Sequence, residues 1–274
     1  MTIMVIGGSG QLGSELLKIL PDSVGVFHNP SENNFCADFM KEGQIGSIIK
    51  EAKPDLVINC TAFTDVDGCE RDREKAYRIN GNAVLEIVNS SKLIGAKVIH
   101  VSTDYVYNGE TGNYTETDVP SPINYYGLSK LVGDCFVLSY EQSIVIRTSG
   151  VFGIKNNFPG FVLNNLRNGK PVRVIDSIYS PIHATMLARA IRELASTDTT
   201  GIVNVAGDKI SRSKLAEKIA NLFSLDSSLI TEVPESEMTW IAKRPYDSSL
   251  DITKASGIIT FDFHSTEKNI ALMA

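Results

Sequence analysis

The first twenty residues restrict the fold most. Ile3 to Ile6 is a short apolar run ending on Gly7, as a buried parallel strand does. Gly7, Gly10 and Gly13 follow in G-x-x-G-x-x-G spacing, and Leu12, Leu16, Leu17 and Leu20 mark an apolar helix face that stops at Pro21. A strand, a glycine turn and a helix in that order aim backbone N–H groups at a pyrophosphate lying on the helix N-terminus. The first glycine permits the tight turn, the second lets the phosphates approach, and the third lets helix and strand pack closely. The pattern predicts a dinucleotide-binding fold.

The rest of the chain continues in α/β units. Strands are expected at 24–27, in a short stretch ending at Asp38, and at 55–60, 96–101 and 144–147; helices at 39–51, 69–90 and from Tyr126 onwards. This order predicts a doubly wound parallel sheet of Rossmann type with a smaller C-terminal substrate-binding lobe. Residues 1–148 form the dinucleotide-binding domain in this reading, completed by about 172–198, with 172–175 a strand returning to the sheet. Residues 149–171 and 199–274 make up most of the lobe.

Composition narrows the partners. The 274 residues carry a net charge of -6 with no Lys/Arg run, which excludes a basic nucleic-acid surface. No apolar run reaches about 18 residues and no leader pattern is seen, so a cytoplasmic protein without membrane contact is expected. Cys36, Cys60, Cys69 and Cys135 lack metal or redox spacing. Cys60 and Cys135 are expected to be small buried hydrophobes, and no metal site is expected.

The chemistry concentrates in P-S-P-I-N-Y-Y-G-L-S-K, residues 120–130. Tyr126 and Lys130 stand four apart, so a helix stacks phenol and ammonium on one face, and the cation is expected to lower the phenol pKa. Thr103, in S-T-D-Y-V, ends the strand beside this helix. A hydroxyl and a phenol converging on a carbonyl oxygen suit its reduction by hydride from a nicotinamide: Tyr126 gives the proton, Thr103 steadies the developing charge, and Lys130 holds the nicotinamide ribose. His28 and Asn29 occupy the slot where a carboxylate would select NAD, and Glu32 comes later, so NADPH is expected, with NADH the alternative. Asp38 suits the adenine edge or the N-cap of the 39–51 helix. Asn80 suits a structural hydrogen bond and His183 a polar helix N-terminus.

Several segments together carry a family resemblance: G-G-S-G-Q-L-G, F-C-A-D-F, I-N-C-T-A-F-T-D-V-D, V-S-T-D-Y-V-Y, Y-Y-G-L-S-K-L-V-G-D, R-T-S-G-V-F-G and R-P-Y-D-S-S-L-D. The whole chain resembles the extended short-chain dehydrogenase/reductases, in particular the dTDP-4-dehydrorhamnose reductase family. The resemblance implies a catalytic triad of Thr103, Tyr126 and Lys130. It implies that Gln11, Leu12, Asp38, Phe39, Ala62, Phe63 and Thr64 line the cofactor, beside Gly7, Gly10, Gly13 and His28. Thr64, Val66, Tyr105 and position 150 would lie near the sugar.

Arg244 would face the substrate diphosphate, or else pair with Asp247 or Asp251. The implied reaction is NADPH-dependent reduction of the C4 ketone of dTDP-4-dehydro-β-L-rhamnose to dTDP-L-rhamnose. The implied partner is a nucleotide-sugar substrate, and a homodimer is compatible. The chain departs from the family where a tryptophan gives way to Gly150 and where residues 176–182 read D-S-I-Y-S-P-I. Two alternatives therefore stay open: a non-catalytic NADP-binding regulatory subunit like the methionine adenosyltransferase β subunit, or another sugar-nucleotide reductase or epimerase.

Overall fold

The computed structural model describes residues 1–29, 35–155 and 157–274; Glu32, named above beside the coenzyme slot, lies outside these residues. Strands β1 (Ile3–Ile6), β2 (Ser23–Phe27), β3 (Phe35–Cys36), β4 (Leu56–Asn59), β5 (Lys97–Thr103), β6 (Ser143–Phe152) and β10 (Gly201–Asn204) form one parallel sheet. Its order is β10-β6-β5-β4-β1-β2-β3, and β9 (Pro181–His183) pairs with the end of β6. The order reverses between β1 and β4. Brackets of this kind leave a crevice outside the C-terminal strand ends, where ligands bind.

The central strands are nearly continuous apolar runs because both faces are covered. On one face α1 (Gln11–Ile19) packs against α8 (Ala184–Ala195), joining Leu12 and Leu16 to Leu187 and Ile191. Leu16 is fully buried, and truncating it to alanine costs about 2–5 kcal/mol. On the other face α2 (Gln44–Ala52) and α5 (Ala83–Ile94) cover Met4, Ile6 and Val57. No helix among the described residues is long and apolar enough to cross a membrane.

The helix expected over 69–90 is divided into α3 (Val66–Arg71), α4 (Arg73–Tyr77), a π-helical turn (Arg78–Asn82) and α5. Asp72 leaves helical geometry (φ -131°, ψ 75°) and accepts a hydrogen bond from the Lys75 N–H at 3.0 Å, restarting the helix. The helix expected from Phe39 starts only at Gln44. Its N-cap is Gly43, while the Asp38 carboxylate accepts from the Met40 N–H at 3.0 Å and closes a turn instead. Cys135, expected to be buried, is exposed on the outer face of α6 (Tyr125–Leu138).

The lobe differs from expectation as well. β7 (Val172–Val174) does not return to the main sheet; it pairs with β12 (Ile230–Glu232) outside it. β10, assigned to the lobe on sequence, takes the main-sheet edge beside β6. The lobe has its own core, in which Val162, Leu163 and Leu166 of α7 (Phe158–Arg167) meet Leu215 and Ile219 of α9 (Arg212–Leu222). A second two-stranded pairing, β8 (Ile178–Tyr179) with β11 (Ile210–Ser211), joins this lobe to the crevice. The short helices α10 (Thr253–Ser256) and α11 (Thr266–Ala271) close the chain.

Candidate active site

The glycine turn forms as its spacing predicts. Gly7 has φ 85°, and a Cβ on Gly13 would lie 2.2 Å from the Gly7 carbonyl oxygen, so helix and strand meet only because position 13 has no side chain. Gly10 is the N-cap of α1, makes no side-chain cap bond, and the first turn carries no acidic residue. The first N–H groups of α1 and its positive dipole end are therefore open to an anion. Gln11 binds the strand across the crevice, donating from Nε2 to the Val151 carbonyl at 2.8 Å and accepting from the Lys155 N–H at 2.9 Å. Lys155 Nζ donates to the Ser9 carbonyl at 2.7 Å. This places an ammonium over the turn, a feature no local motif announced.

The strand end at Thr103 and the start of α6 bring the reactive groups together. Asn124 caps α6 by accepting from the Gly127 N–H at 2.8 Å. Tyr126 and Lys130 both face one cavity of 510 Å³ that Thr103 also lines. Burial raises the Tyr126 phenol, and hydrogen bonding with the Thr103 hydroxyl partly offsets this. The expected lowering by Lys130 does not occur. Lys130 Nζ instead donates to the Val101 carbonyl at 2.7 Å and lies 3.2 Å from His100 Nε2. Burial holds Lys130 down at about 8, against the opposing pull of Asp134 and Cys60.

Thr103 Oγ1 donates to Asp104 Oδ1 at 3.0 Å, while Ser149 and Ser248 each donate to Asp104 Oδ2 at 2.6 Å. Burial raises Asp104 and the three hydroxyls oppose it. One buried carboxylate thus ties the end of β5, the end of β6 and the R-P-Y-D-S loop together beside the cavity.

Most expected residues reach this cavity. Gly10, Gln11 and Leu12 form one end, and Ala62, Thr64 and Val66 one wall. Tyr105 and Gly150 line the same space as Thr103, Tyr126 and Lys130. Gly7 and Gly13 shape the turn from below. Phe63 is held by Asn80, whose carboxamide accepts from the Phe63 N–H at 2.8 Å and donates to its carbonyl at 3.1 Å. Asn80 also donates to Ser129 Oγ at 2.9 Å, joining this loop to α6. Phe39 is 7% exposed and packs in the core beneath α2, so its ring is no cavity wall. His28 is exposed at the end of β2 and Asp38 half-buried after β3; neither lines the cavity. His183 caps α8, accepting from the Thr185 N–H at 3.2 Å.

Arg244 lies in a second chamber of 190 Å³, between the lobe and the R-P-Y-D-S loop. It pairs with neither Asp247 nor Asp251. Its guanidinium donates to Asp67 Oδ1 at 2.9 Å, the Ala242 N–H just before it donates to the same oxygen at 3.0 Å and so holds the loop on α3, and Asp247 pairs with Lys209. Tyr105, Tyr179 and Arg212 line both spaces and form their junction. Gly150 has φ 30°, and a Cβ there would come within 2.6 Å of Tyr179 Cε2. The ring of Tyr179 thus occupies the space beside position 150; Tyr179 is 4% exposed, and its hydroxyl has no hydrogen-bond partner among the described residues.

The family model for the RmlD substrate binding domain matches residues 1–274. The chain belongs to that family. Among relatives, a probable low-salt glycan biosynthesis reductase, Agl14, of Haloferax volcanii is 32% identical, over 100% of this chain and 97% of its own length. A crystal structure of a hypothetical dTDP-4-dehydrorhamnose reductase from Sulfolobus tokodaii superposes with a TM-score of 0.92 at 46% identity, covering 96% of this chain and 97% of that one. A dTDP-4-dehydrorhamnose reductase from Bacillus anthracis, in complex with NADP, superposes with a TM-score of 0.91 at 27% identity, covering 99% and 98%. Family membership agrees with the doubly wound sheet and makes this chain one of a set of oxidoreductases.

Proposed function

We propose that this protein reduces the C4 ketone of dTDP-4-dehydro-β-L-rhamnose to dTDP-L-rhamnose, using NADPH. The convergence of Thr103, Tyr126 and Lys130 on one cavity, beside an uncapped helix N-terminus, carries this reading. Full-length likeness to reductases of that name supports the substrate, and the NADP complex of one relative supports the coenzyme. The cradle suits a dinucleotide: Gly7, Gly10 and Gly13 leave room for phosphate oxygens at the open N–H groups of α1, and Lys155 adds charge. Bound there, NADPH supplies the hydride.

Tyr126 donates the proton that neutralises the ketone oxygen. A raised phenol pKa keeps it protonated at neutral pH, and an alkoxide is basic enough to take that proton regardless. Thr103, itself buried, turns its hydroxyl from Asp104 towards the same oxygen as charge develops. Lys130, which lines the same cavity, would hold the nicotinamide ribose. The lobe built on α7 and α9 binds the nucleotide end of the substrate across the junction at Tyr179.

The test is NADPH oxidation by purified protein given the enzymatically prepared 4-keto-6-deoxy sugar nucleotide. Turnover is expected, and Tyr126→Phe should lose about 10²–10⁴-fold in kcat while binding NADPH normally. Absence of NADPH consumption would refute the reaction. An unchanged rate in Tyr126→Phe would refute the proton donor.

A further inference from the structure

Three arginines line the second chamber, and their charges are not equally available. Arg244 is committed to Asp67 and Arg173 to Glu237. Arg212 makes no ion pair with a carboxylate among the described residues. Its guanidinium is stacked on the Tyr179 ring at 4.2 Å and faces Phe158 at 4.9 Å, and Nε donates to Ser177 Oγ at 3.0 Å. The two rings, the serine and a hydrogen bond shared with the Tyr105 hydroxyl fix the fork in place without any carboxylate neutralising it, leaving its remaining N–H groups for a ligand. It also opens α9, whose positive dipole end adds to its charge.

Position adds to charge. Arg212 lines both the catalytic cavity and the second chamber. A nucleotide sugar with its sugar at Tyr126 and its nucleoside among Phe161, Trp240 and Met238 must pass its diphosphate through that junction. The geometry points to Arg212, rather than Arg244, as the anchor for the substrate diphosphate, with Tyr179 and Phe158 as the plates that hold it. This inference rests on the nucleotide-sugar reading above, and makes Arg212 a specificity-determining residue that selects nucleoside-diphosphate sugars over free sugars.

The experiment compares binding of dTDP, thymidine and NADPH to wild type, Arg212→Met and Arg244→Met by calorimetry. Charge-assisted hydrogen bonds to a phosphate correspond to a loss of about 10–100-fold when removed. Arg212→Met is expected to weaken dTDP by that factor, thymidine by less than about 2-fold, and NADPH not at all; unchanged NADPH affinity also reports an intact fold. Arg212→Lys keeps the charge and serves if the methionine variant does not fold; it should recover part of the dTDP affinity. Unaltered dTDP affinity in Arg212→Met, or a larger loss in Arg244→Met, would overturn the assignment while leaving the reaction standing. Tight dTDP binding that depends on Arg212, without turnover of the keto sugar, would uphold the assignment and sink the reaction. Wild type that binds no dTDP would overturn the diphosphate site itself.

Discussion

His100 Nε2 lies 3.2 Å from Lys130 Nζ, and both side chains are cut off from solvent. The contact has a defined proton arrangement. The Thr61 N–H needs an acceptor and takes Asn59 Oδ1 at 3.0 Å, so Asn59 Nδ2 must face His100 Nδ1, also at 3.0 Å. Burial, with Lys130 adding to it, keeps the imidazole neutral, so its one proton sits on Nε2 and points at Lys130. A donor facing a donor favours the neutral amine, in the same direction as the burial that holds Lys130 at about 8. Ketone reduction should therefore lose rate as pH rises through about 8, where Lys130 gives up its charge. A pH–kcat profile flat to pH 10 would show that the charge on Lys130 is not needed.

The same shift has a consequence for stability. Lys130 has a folded-state pKa of about 8, below the 10.5 of the unfolded chain. Between those values the unfolded state binds more protons, so this group's contribution to stability rises with pH across the window and is at its worst below pH 8. Lys130→Met removes the buried charge. It should melt higher than wild type at pH 7, with the advantage shrinking towards pH 10, while turnover is lost. Thermal denaturation of both proteins at the two pH values measures this; a variant less stable at pH 7 would contradict it.

Asp104 is buried and accepts from Thr103, Ser149 and Ser248. Asp104→Ala leaves those three hydroxyls without their acceptor and frees the Thr103 side chain to rotate. The expected cost is about 1–3 kcal/mol of stability per unsatisfied buried group, with a fall in kcat larger than any change in NADPH affinity. Asp104→Asn keeps the shape and an acceptor oxygen and should lose less. Chemical denaturation and steady-state kinetics on the two variants separate the contributions; equal behaviour of both would argue against the hydroxyl network.

What the sequence made legible was local. The strand–glycine–helix order, the four-residue spacing from Tyr126 to Lys130 and the strand end at Thr103 are each encoded within a few residues, and the structure brings those three side chains to one cavity beside the glycine turn. The residues missed act across long separations. Lys155 reaches Ser9 over 146 positions, and Arg212 reaches Ser177 over 35. His100 looks like one more inward residue of an apolar strand, and only the packing of α6 on β5 puts Lys130 against it. Val172–Val174 has a strand's composition, but composition does not say which strand pairs with it; its partner, β12, lies more than fifty positions further on. Arg244 pairs with Asp67 rather than with the nearby Asp247 or Asp251, and Asp67 lies 177 positions away, beyond the reach of any local pattern.

Position 150 gives the most direct test of how the lobe and the sheet were fitted together. A side chain there would need φ near 30° and would meet the Tyr179 ring at 2.6 Å, and that ring is itself wedged under Arg212. Gly150→Trp therefore cannot restore an aromatic wall on its own; overpacking and backbone strain should cost at least about 1–3 kcal/mol. Gly150→Trp combined with Tyr179→Gly exchanges one aromatic for the other in the same space. The double variant should recover much of the loss, giving a coupling energy of about 0.5–3 kcal/mol in a double-mutant cycle measured by denaturant unfolding. If the single tryptophan variant is as stable as wild type, or the two changes simply add, Tyr179 does not fill the place of a side chain at position 150.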